Sequence, residues 1–312
     1  MELIYDKYRR PLTRLRISVT ERCNLKCFFC HREGVTEYSH KEMTPEEIAR
    51  ITKITVNHGV SKVKLTGGEP LIREDIDKIV RQLSQIKGIN DLAMTTNGVL
   101  LAEKAESLKH SGLQRVNINF PSLKPSKYYE ITGGNNLNDS LNGLEAAIKV
   151  GFHPIKLNMV MLKGLNDDEV NDMISFSRQM GVILQLIELE PVNVEDSFYQ
   201  KYYRSLTDIE SQLKKEALSV KTRRSMQNRK VYSLPDVVVE LVAPLENTKF
   251  CLKCTRLRIT SDGKFKPCLM RDDNLIDFLT PLRKGVGDKE LENLFIEAVN
   301  CREPYYKASG LH

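Results

Sequence analysis

Leu15-Arg16-Ile17-Ser18-Val19-Thr20-Glu21-Arg22-Cys23-Asn24-Leu25-Lys26-Cys27-Phe28-Phe29-Cys30 is the stretch that decides how this chain folds. Residues 15–19 alternate and are rich in β-formers, so they read as a strand. The three cysteines that follow, Cys23, Cys27 and Cys30, have the spacing Cys-x3-Cys-x2-Cys and sit on the loop leaving that strand. Parallel α/β folds gather functional groups at this end of their strands. The odd number matters chemically. Structural zinc is closed by four ligands, whereas three thiolates on an iron–sulfur cube leave one iron open to a substrate. Read from the residues alone, the alternative is a zinc knuckle that borrows the adjacent His31.

Outward from this loop the chain keeps a regular rhythm as far as about residue 190. Further strands are expected at residues 62–66, 92–95, 115–120, 155–161 and 182–189, each short, rich in Val, Ile, Leu or Thr, and bounded by Gly, Asn or Pro. Helices are expected between them. The clearest opens at Thr44-Pro45-Glu46-Glu47, where Thr44 can cap, Pro45 suits the first helical position and Glu47 completes a capping box. Others are expected near residues 74–86, 102–111, 140–150 and 167–180. Strand–helix units in succession imply an α/β fold with a parallel sheet and right-handed crossovers, as an open barrel or a doubly wound sheet. After Pro191 the pattern breaks into a Tyr-rich segment, a short helix, a basic stretch over residues 221–230 and hairpin-like strands. Two domains are therefore expected, residues 1–190 and 191–312.

Composition sets the broad class. The 312 residues suffice for two domains at about 150 residues each, with a core that needs no disulfide staples. Hydrophobic residues at 41% and charged residues at 28% exclude a disordered or collagen-like chain. The start Met1-Glu2-Leu3-Ile4-Tyr5-Asp6 lacks the basic and apolar regions of a secretory signal, and no apolar run approaches bilayer length. A cytoplasmic protein with no membrane partner is expected. The net charge of +6 is a mild excess that tolerates an anionic ligand but does not mark a nucleic-acid-binding domain. Seven cysteines, an odd number, argue against a disulfide framework.

The second cysteine group is Cys251-x2-Cys254-x13-Cys268, again three residues, with Cys301 apart. A zinc ribbon would show two paired knuckles, and the second pair here lacks its partner. Next to the group lies Arg256-Leu257-Arg258, which places two guanidiniums on one face of a strand, a fork suited to phosphate or carboxylate. Elsewhere in a sequence such a pair would be read as a solvated strand face. Lys156, in Ile155-Lys156-Leu157-Asn158, is a charge inside an apolar strand, which is costly unless paired.

The first motif resembles that of the radical S-adenosylmethionine (SAM) superfamily. An aromatic residue, here Phe29, precedes the third cysteine, and the next strand ends in Thr66-Gly67-Gly68-Glu69-Pro70, similar to the loop that receives the methionyl amino group of SAM. Two glycines at a strand end allow close backbone approach, and Glu69 is read as an acceptor for an ammonium. With the second motif the resemblance narrows to the GTP 3′,8-cyclase family, also called molybdenum-cofactor biosynthesis protein A, over most of the chain. It implies a partial (βα)6 TIM-like barrel closed by a smaller mixed C-terminal region, two [4Fe–4S] clusters on Cys23, Cys27, Cys30 and on Cys251, Cys254, Cys268, and SAM as cofactor. It implies GTP contacts from Arg16, Lys64, Thr95, Lys156, Arg256, Leu257 and Arg258, with Lys156, Arg256 and Arg258 closest to catalysis.

The chemistry implied is reductive cleavage of SAM, removal of hydrogen from C3′ of GTP and closure onto C8 of the guanine. The partners implied are a one-electron donor, a downstream pterin-forming enzyme and a second copy of the chain in a homodimer. The chain departs from the family pattern at Asn119 (Ser), Pro121 (Asp), Gln185 (a basic residue) and Glu190 (a SAM-contacting Met). It ends Ser309-Gly310-Leu311-His312, without the family's Gly-Gly. Two rivals are a peptide-modifying radical SAM enzyme and a zinc-dependent nucleic-acid module using Lys221, Arg223, Arg224, Arg229 and Lys230.

Overall fold

The computed structural model describes residues 3–37, 39, 41–245 and 247–306. The Ser309–His312 end named above lies outside the described residues. The first half is built from β1 (Arg14–Ser18), α1 (Pro45–Asn57), β2 (Lys62–Thr66), α2 (Ile76–Ser84), β3 (Asp91–Thr96), α3 (Leu101–His110), β4 (Arg115–Asn119), α4 (Pro125–Thr132), α5 (Leu137–Lys149), β5 (Lys156–Met161), α6 (Val170–Gln179) and β6 (Ile183–Glu188). Thr44 caps α1 as its sequence requires. Its Oγ1 accepts from Glu47 N–H at 3.2 Å, and the Glu47 carboxylate accepts from Thr44 N–H at 2.8 Å.

The α4 helix was not expected. Pro125 sets its first turn, and Gly133 ends it in the left-handed conformation at φ 70°. Its short polar sequence, Pro-Ser-Lys-Tyr-Tyr-Glu-Ile-Thr, carries little apolar periodicity.

The second half runs α7 (Asp196–Tyr202), α8 (Thr207–Glu216), β7 (Ser219–Arg223), β8 (Arg229–Leu234), β9 (Val237–Val242), α9 (Thr248–Leu252), β10 (Arg256–Ile259), β11 (Lys264–Lys266), β12 (Ile276–Asp277), α10 (Leu279–Arg283) and α11 (Asp288–Asn300). These strands extend the sheet of the first half from both edges. The described order is β12-β11-β10-β1-β2-β3-β4-β5-β6-β9-β8-β7. β10 runs parallel to β1 and β9 runs parallel to β6, so eight parallel strands stand side by side, flanked by antiparallel ribbons. The sheet curls without closing.

Strand alternation divides the residues between two faces. Leu15, Ile17, Val63, Leu65, Leu257 and Ile259 belong to one continuous core with apolar residues of the helices, among them Ile48, Ile51, Ile79 and Leu291. The residues between them in sequence, Arg14, Arg16, Lys62, Lys64, Arg256 and Arg258, face a cavity within the curl. Among the described residues no helix is long and apolar enough to cross a membrane.

Because β9 and β10 cover the edges of β6 and β1, a fragment of residues 1–190 loses partners at both ends of its parallel sheet. We expect such a fragment to aggregate on expression. A monomeric fragment with a sharp denaturant transition would contradict this.

Candidate active site

The loop after β1 is clamped by the loop after β2. Gly68 N–H donates to Thr20 O at 2.7 Å and Glu69 N–H to Arg22 O at 2.8 Å, immediately before Cys23. A Cβ on Gly67 would stand 2.3 Å from Thr20 O, and one on Gly68 would stand 2.2 Å from Arg22 O. The close approach these glycines allow is therefore to the backbone that leads into the cysteines.

The Glu69 carboxylate is held by three neighbouring groups of the protein. Its Oε1 accepts from Leu71 N–H at 3.0 Å and Thr96 Oγ1 at 2.7 Å, and its Oε2 accepts from Asn97 N–H at 2.7 Å. The side chain ties the β2 and β3 loops together and does not line the cavity. Burial pushes its carboxyl up to about 7 against those hydrogen bonds. His31 Nδ1 accepts from Glu33 N–H at 3.0 Å, so that nitrogen is occupied by its own loop.

The curl encloses a cavity of about 1140 Å³. Phe29, Cys30, Gly67 and Gly68 line it beside the first cysteine loop, and Cys251, Cys254 and Cys268 line it beside the second. Thr95, Asn119, Lys156, Gln185 and Glu190 line its walls, as does Pro121. Between the cysteine groups the wall carries two cationic rows set by strand register. Arg16 stands opposite Arg258 and Lys64, and Arg14 stands opposite Arg256 and Lys62. Like charges placed directly across strands repel, so the rows call for a counter-charge.

Part of that counter-charge is Glu33, which lies 3.5 Å from Arg16 and in closer contact with Arg258. Burial opposes ionisation of Glu33, but the two guanidiniums outweigh it and hold the carboxyl down at about 2. Lys64 has no such partner among the described residues, and burial, then Arg115 and Arg16, keep it well below the usual lysine value. Arg256 is likewise depressed by burial, then by Arg229 and Arg16.

Across the cavity Glu240 of β9 is almost fully buried and ion-paired to Lys156, to Arg223 at 3.3 Å and to Arg229 at 3.4 Å. One carboxylate thus serves three cations, and a surplus of positive charge remains. Burial brings Lys156 down to about 8 although Glu240 opposes the shift. Part of the basic stretch is tied down here: Arg223 and Arg229 turn to Glu240, and Lys230 pairs with Glu210.

The thiols of each group lie within electrostatic reach of one another. Burial raises Cys23, Cys30, Cys251 and Cys268 and pushes Cys27 up to about 12. Cys254 differs. Burial also acts to raise it, but Arg302, Arg256 and Arg10 together hold it below the usual thiol value. Thiols that resist ionisation become good ligands when metal coordination stabilises the thiolate. Among the described residues no three His, Cys, Asp or Glu side chains converge as one metal ion requires. Three thiols in each group are the donor number of a [4Fe–4S] cube that keeps one iron open.

Comparison with known proteins places the chain. The family model for the radical SAM superfamily matches residues 17–177, and that for Molybdenum Cofactor Synthesis C matches residues 182–308. A probable GTP 3′,8-cyclase of Thermococcus kodakarensis is 49% identical over 98% of this chain and all of its own length. That of Methanothermobacter marburgensis is 46% identical over 98% of this chain and 99% of its own. The chain belongs to the GTP 3′,8-cyclase family. Its fold is shared more distantly with Streptococcus suis SuiB bound to precursor peptide SuiA (17% identical, TM-score 0.66, 96% of this chain and 67% of that one). It is also shared with native anSMEcpe with bound AdoMet (17% identical, TM-score 0.60, 89% of this chain and 80% of that one).

Within this GTP 3′,8-cyclase family member, the cavity brings together most of the residues singled out from sequence. Leu257 is the exception on its strand, since its side chain is fully buried in the core. Of the first cysteine group Cys30 lines the cavity, and Cys23 and Cys27 do not. Cys301 ends α11 away from the cavity. Phe198 and Tyr202 of α7 pack on Phe28, with ring centroids at 5.1 and 5.5 Å, and cover the first cysteine loop. Arg14, Lys62, Glu33 and Glu240 were not singled out from sequence, and Arg223 and Arg229 were named there only for the nucleic-acid rival. Arg14 and Lys62 follow from alternation with Arg16 and Lys64, and Glu240 carries the signal that marked Lys156, a charge within an apolar strand.

Gly68→Ala forces the loop before Cys23 away from the loop after β2. We expect the purified, reconstituted variant to lose most of the iron bound at the first cysteine group. Wild-type iron content would show that the close approach is dispensable.

Proposed function

We propose that this enzyme converts GTP to 3′,8-cyclo-7,8-dihydroguanosine 5′-triphosphate, the first step of molybdenum cofactor biosynthesis, within the cavity between its two cysteine groups. The observation that carries the reading is that one cavity of about 1140 Å³ meets both groups and the cationic rows between them. Its size exceeds the range typical of a single small-ligand site, about 300–1,000 Å³, as SAM and a nucleotide together require. Cys23, Cys27 and Cys30 hold the [4Fe–4S] cluster that the radical SAM superfamily uses, and Cys251, Cys254 and Cys268 hold a second one beside the purine. When bound, the first cluster and SAM would supply a 5′-deoxyadenosyl radical that takes the hydrogen from C3′ of GTP. Bonding of that carbon to C8 leaves a radical on the purine, which one electron from the donor and one proton would convert to a product isomeric with GTP.

The protein's own residues position the reactants. Arg16, Arg258, Lys64 and Arg256 offer the triphosphate a cationic wall, to which Arg14 and Lys62 add a second row. Lys156 and Arg229, shared by Glu240, face it from the other side. A polyphosphate supplies the negative charge that Glu33 and Glu240 leave short. Asn119 can hydrogen-bond the ribose. Phe28, Phe198 and Tyr202 pack together over one side of the first cysteine loop. The division at about residue 190 then separates a SAM-binding half from a half that supplies the second cluster and much of the GTP site. The reading places the enzyme in the reducing cytoplasm, where its seven cysteines remain free thiols or metal ligands. It calls for a one-electron donor, a pterin-forming enzyme that takes the product, and, we propose, a homodimer.

The peptide-modifying alternative draws on SuiB and anSMEcpe, whose likeness at 17% identity concerns the fold alone. The test is anaerobic turnover of the reconstituted enzyme with SAM, a reductant and GTP, with the product identified by mass spectrometry. A product isomeric with GTP is expected, and SAM cleavage with GTP recovered intact would refute the assignment.

Two further outcomes are expected. Arg256→Ala and Arg258→Ala each remove a charged contact worth about 1.5–3 kcal/mol, so GTP affinity falls roughly 10- to 100-fold while 5′-deoxyadenosine formation persists. Unchanged GTP affinity in both variants would remove these arginines from the site. Lys156 is cationic below its value of about 8 and neutral above it, so kcat/KM for GTP should decline as pH rises through about 8. A profile that Lys156→Met leaves unaltered would assign the decline to another group.

A further inference from the structure

The two ends of the described chain meet behind the second cysteine group. Asp6, with no exposed side-chain surface, accepts from Arg10 Nε at 2.7 Å, and its Oδ2 lies 3.3 Å from Arg302 Nη1. Its Oδ1 accepts from the N–H groups of Tyr8 and Arg10 at 3.0 Å, which fixes the carboxylate on its own turn. Each guanidinium then reaches the backbone of a different cysteine. Arg10 Nη1 donates to Cys251 O at 3.0 Å, and Arg302 Nη2 donates to Cys254 O at 2.7 Å. Both arginines are buried, at 4% and 1% exposure, and Arg302 Nε has no hydrogen-bond partner among the described residues.

Charge balance shows what this arrangement is for. Two guanidiniums share one carboxylate, so a positive charge is left over in a buried place, at a cost that only a neighbouring anion offsets. The second cysteine group is that neighbour. A [4Fe–4S]²⁺ core on three thiolates is a net monoanion, and one-electron reduction makes it a dianion. A fixed cation beside it favours the reduced form more than the oxidised form and so raises the reduction potential.

We propose that Arg10 and Arg302, held by Asp6, are positioning residues for the cluster at Cys251, Cys254 and Cys268, and that they set its reduction potential upward. The proposal rests on the second cluster assigned above. It gives the segment before β1 and the turn after α11 a joint task. They fix the Cys251–Cys254 backbone, and they supply the charge that makes its cluster easier to reduce.

The test uses the full chain, anaerobically reconstituted, with Cys23, Cys27 and Cys30 replaced by alanine so that the second cluster is read alone. Iron and sulfide are counted, and the cluster is titrated redox-wise with detection by electron paramagnetic resonance. In this background Arg302→Met should lower the midpoint potential by about 59 mV or more, which is tenfold in a one-electron equilibrium. Arg302→Lys should restore most of the shift. Asp6→Asn keeps both guanidiniums and removes their counter-charge, so it should move the potential upward, a sign that loss of packing does not produce. An unchanged potential in Arg302→Met, or a downward shift in Asp6→Asn, overturns the proposal. If the background chain is folded but holds no iron, the second cluster itself is wrong, and the proposal falls with it for that separate reason.

Discussion

Six cationic side chains on the concave face of three adjacent strands are the constraint on which this structure depends. Register places Arg14 beside Arg256 and Lys62, and Arg16 beside Arg258 and Lys64. Such rows repel, and the sheet tolerates them because the opposite face of the same strands is built from Leu15, Ile17, Val63, Leu65, Leu257 and Ile259 in the continuous core. The strands are therefore held from outside by apolar packing and strained from inside by charge. Glu33 relieves one row in part, and Glu240 relieves the facing wall in part. What remains is a surplus of positive charge on the wall of the cavity that meets both cysteine groups.

The second half of the chain is indispensable to that arrangement. β10 carries Arg256 and Arg258 and completes the rows only because it pairs with β1. β9 carries Glu240 and faces Lys156 only because it pairs with β6. The curl then brings Arg223 of β7 within electrostatic reach of Arg14 and Lys62 on the far side of the cavity. Cavity-lining residues from both halves thus meet through sheet pairing across residue 190.

Much of this was legible in the sequence, for identifiable reasons. Buried parallel strands are short apolar runs, and capped helices announce their starts, so β1 to β6 and α1 fall within a few residues of their expected places. The cysteine spacings and the Gly-Gly-Glu-Pro loop carry chemistry in their local order. The α4 helix was hidden because its surface is polar. The joining of β9 and β10 to opposite edges was hidden because pairing between distant segments leaves no local trace. Glu33 was hidden because a carboxylate in a loop reads as solvated until Arg16 and Arg258 are seen around it. The tie from Glu69 to Thr96 and Asn97 was hidden because those partners come from the next strand's loop.

Whether a radical generated at the first cysteine group acts on C3′ of a nucleotide held by the cationic rows is decided by a label on that carbon. Anaerobic incubation of the reconstituted enzyme with SAM, a reductant and GTP deuterated at C3′ tests it most directly, with mass spectrometry of the 5′-deoxyadenosine formed. The expected result is 5′-deoxyadenosine that carries the deuterium. Unlabelled 5′-deoxyadenosine, formed in the presence of bound GTP, would contradict it.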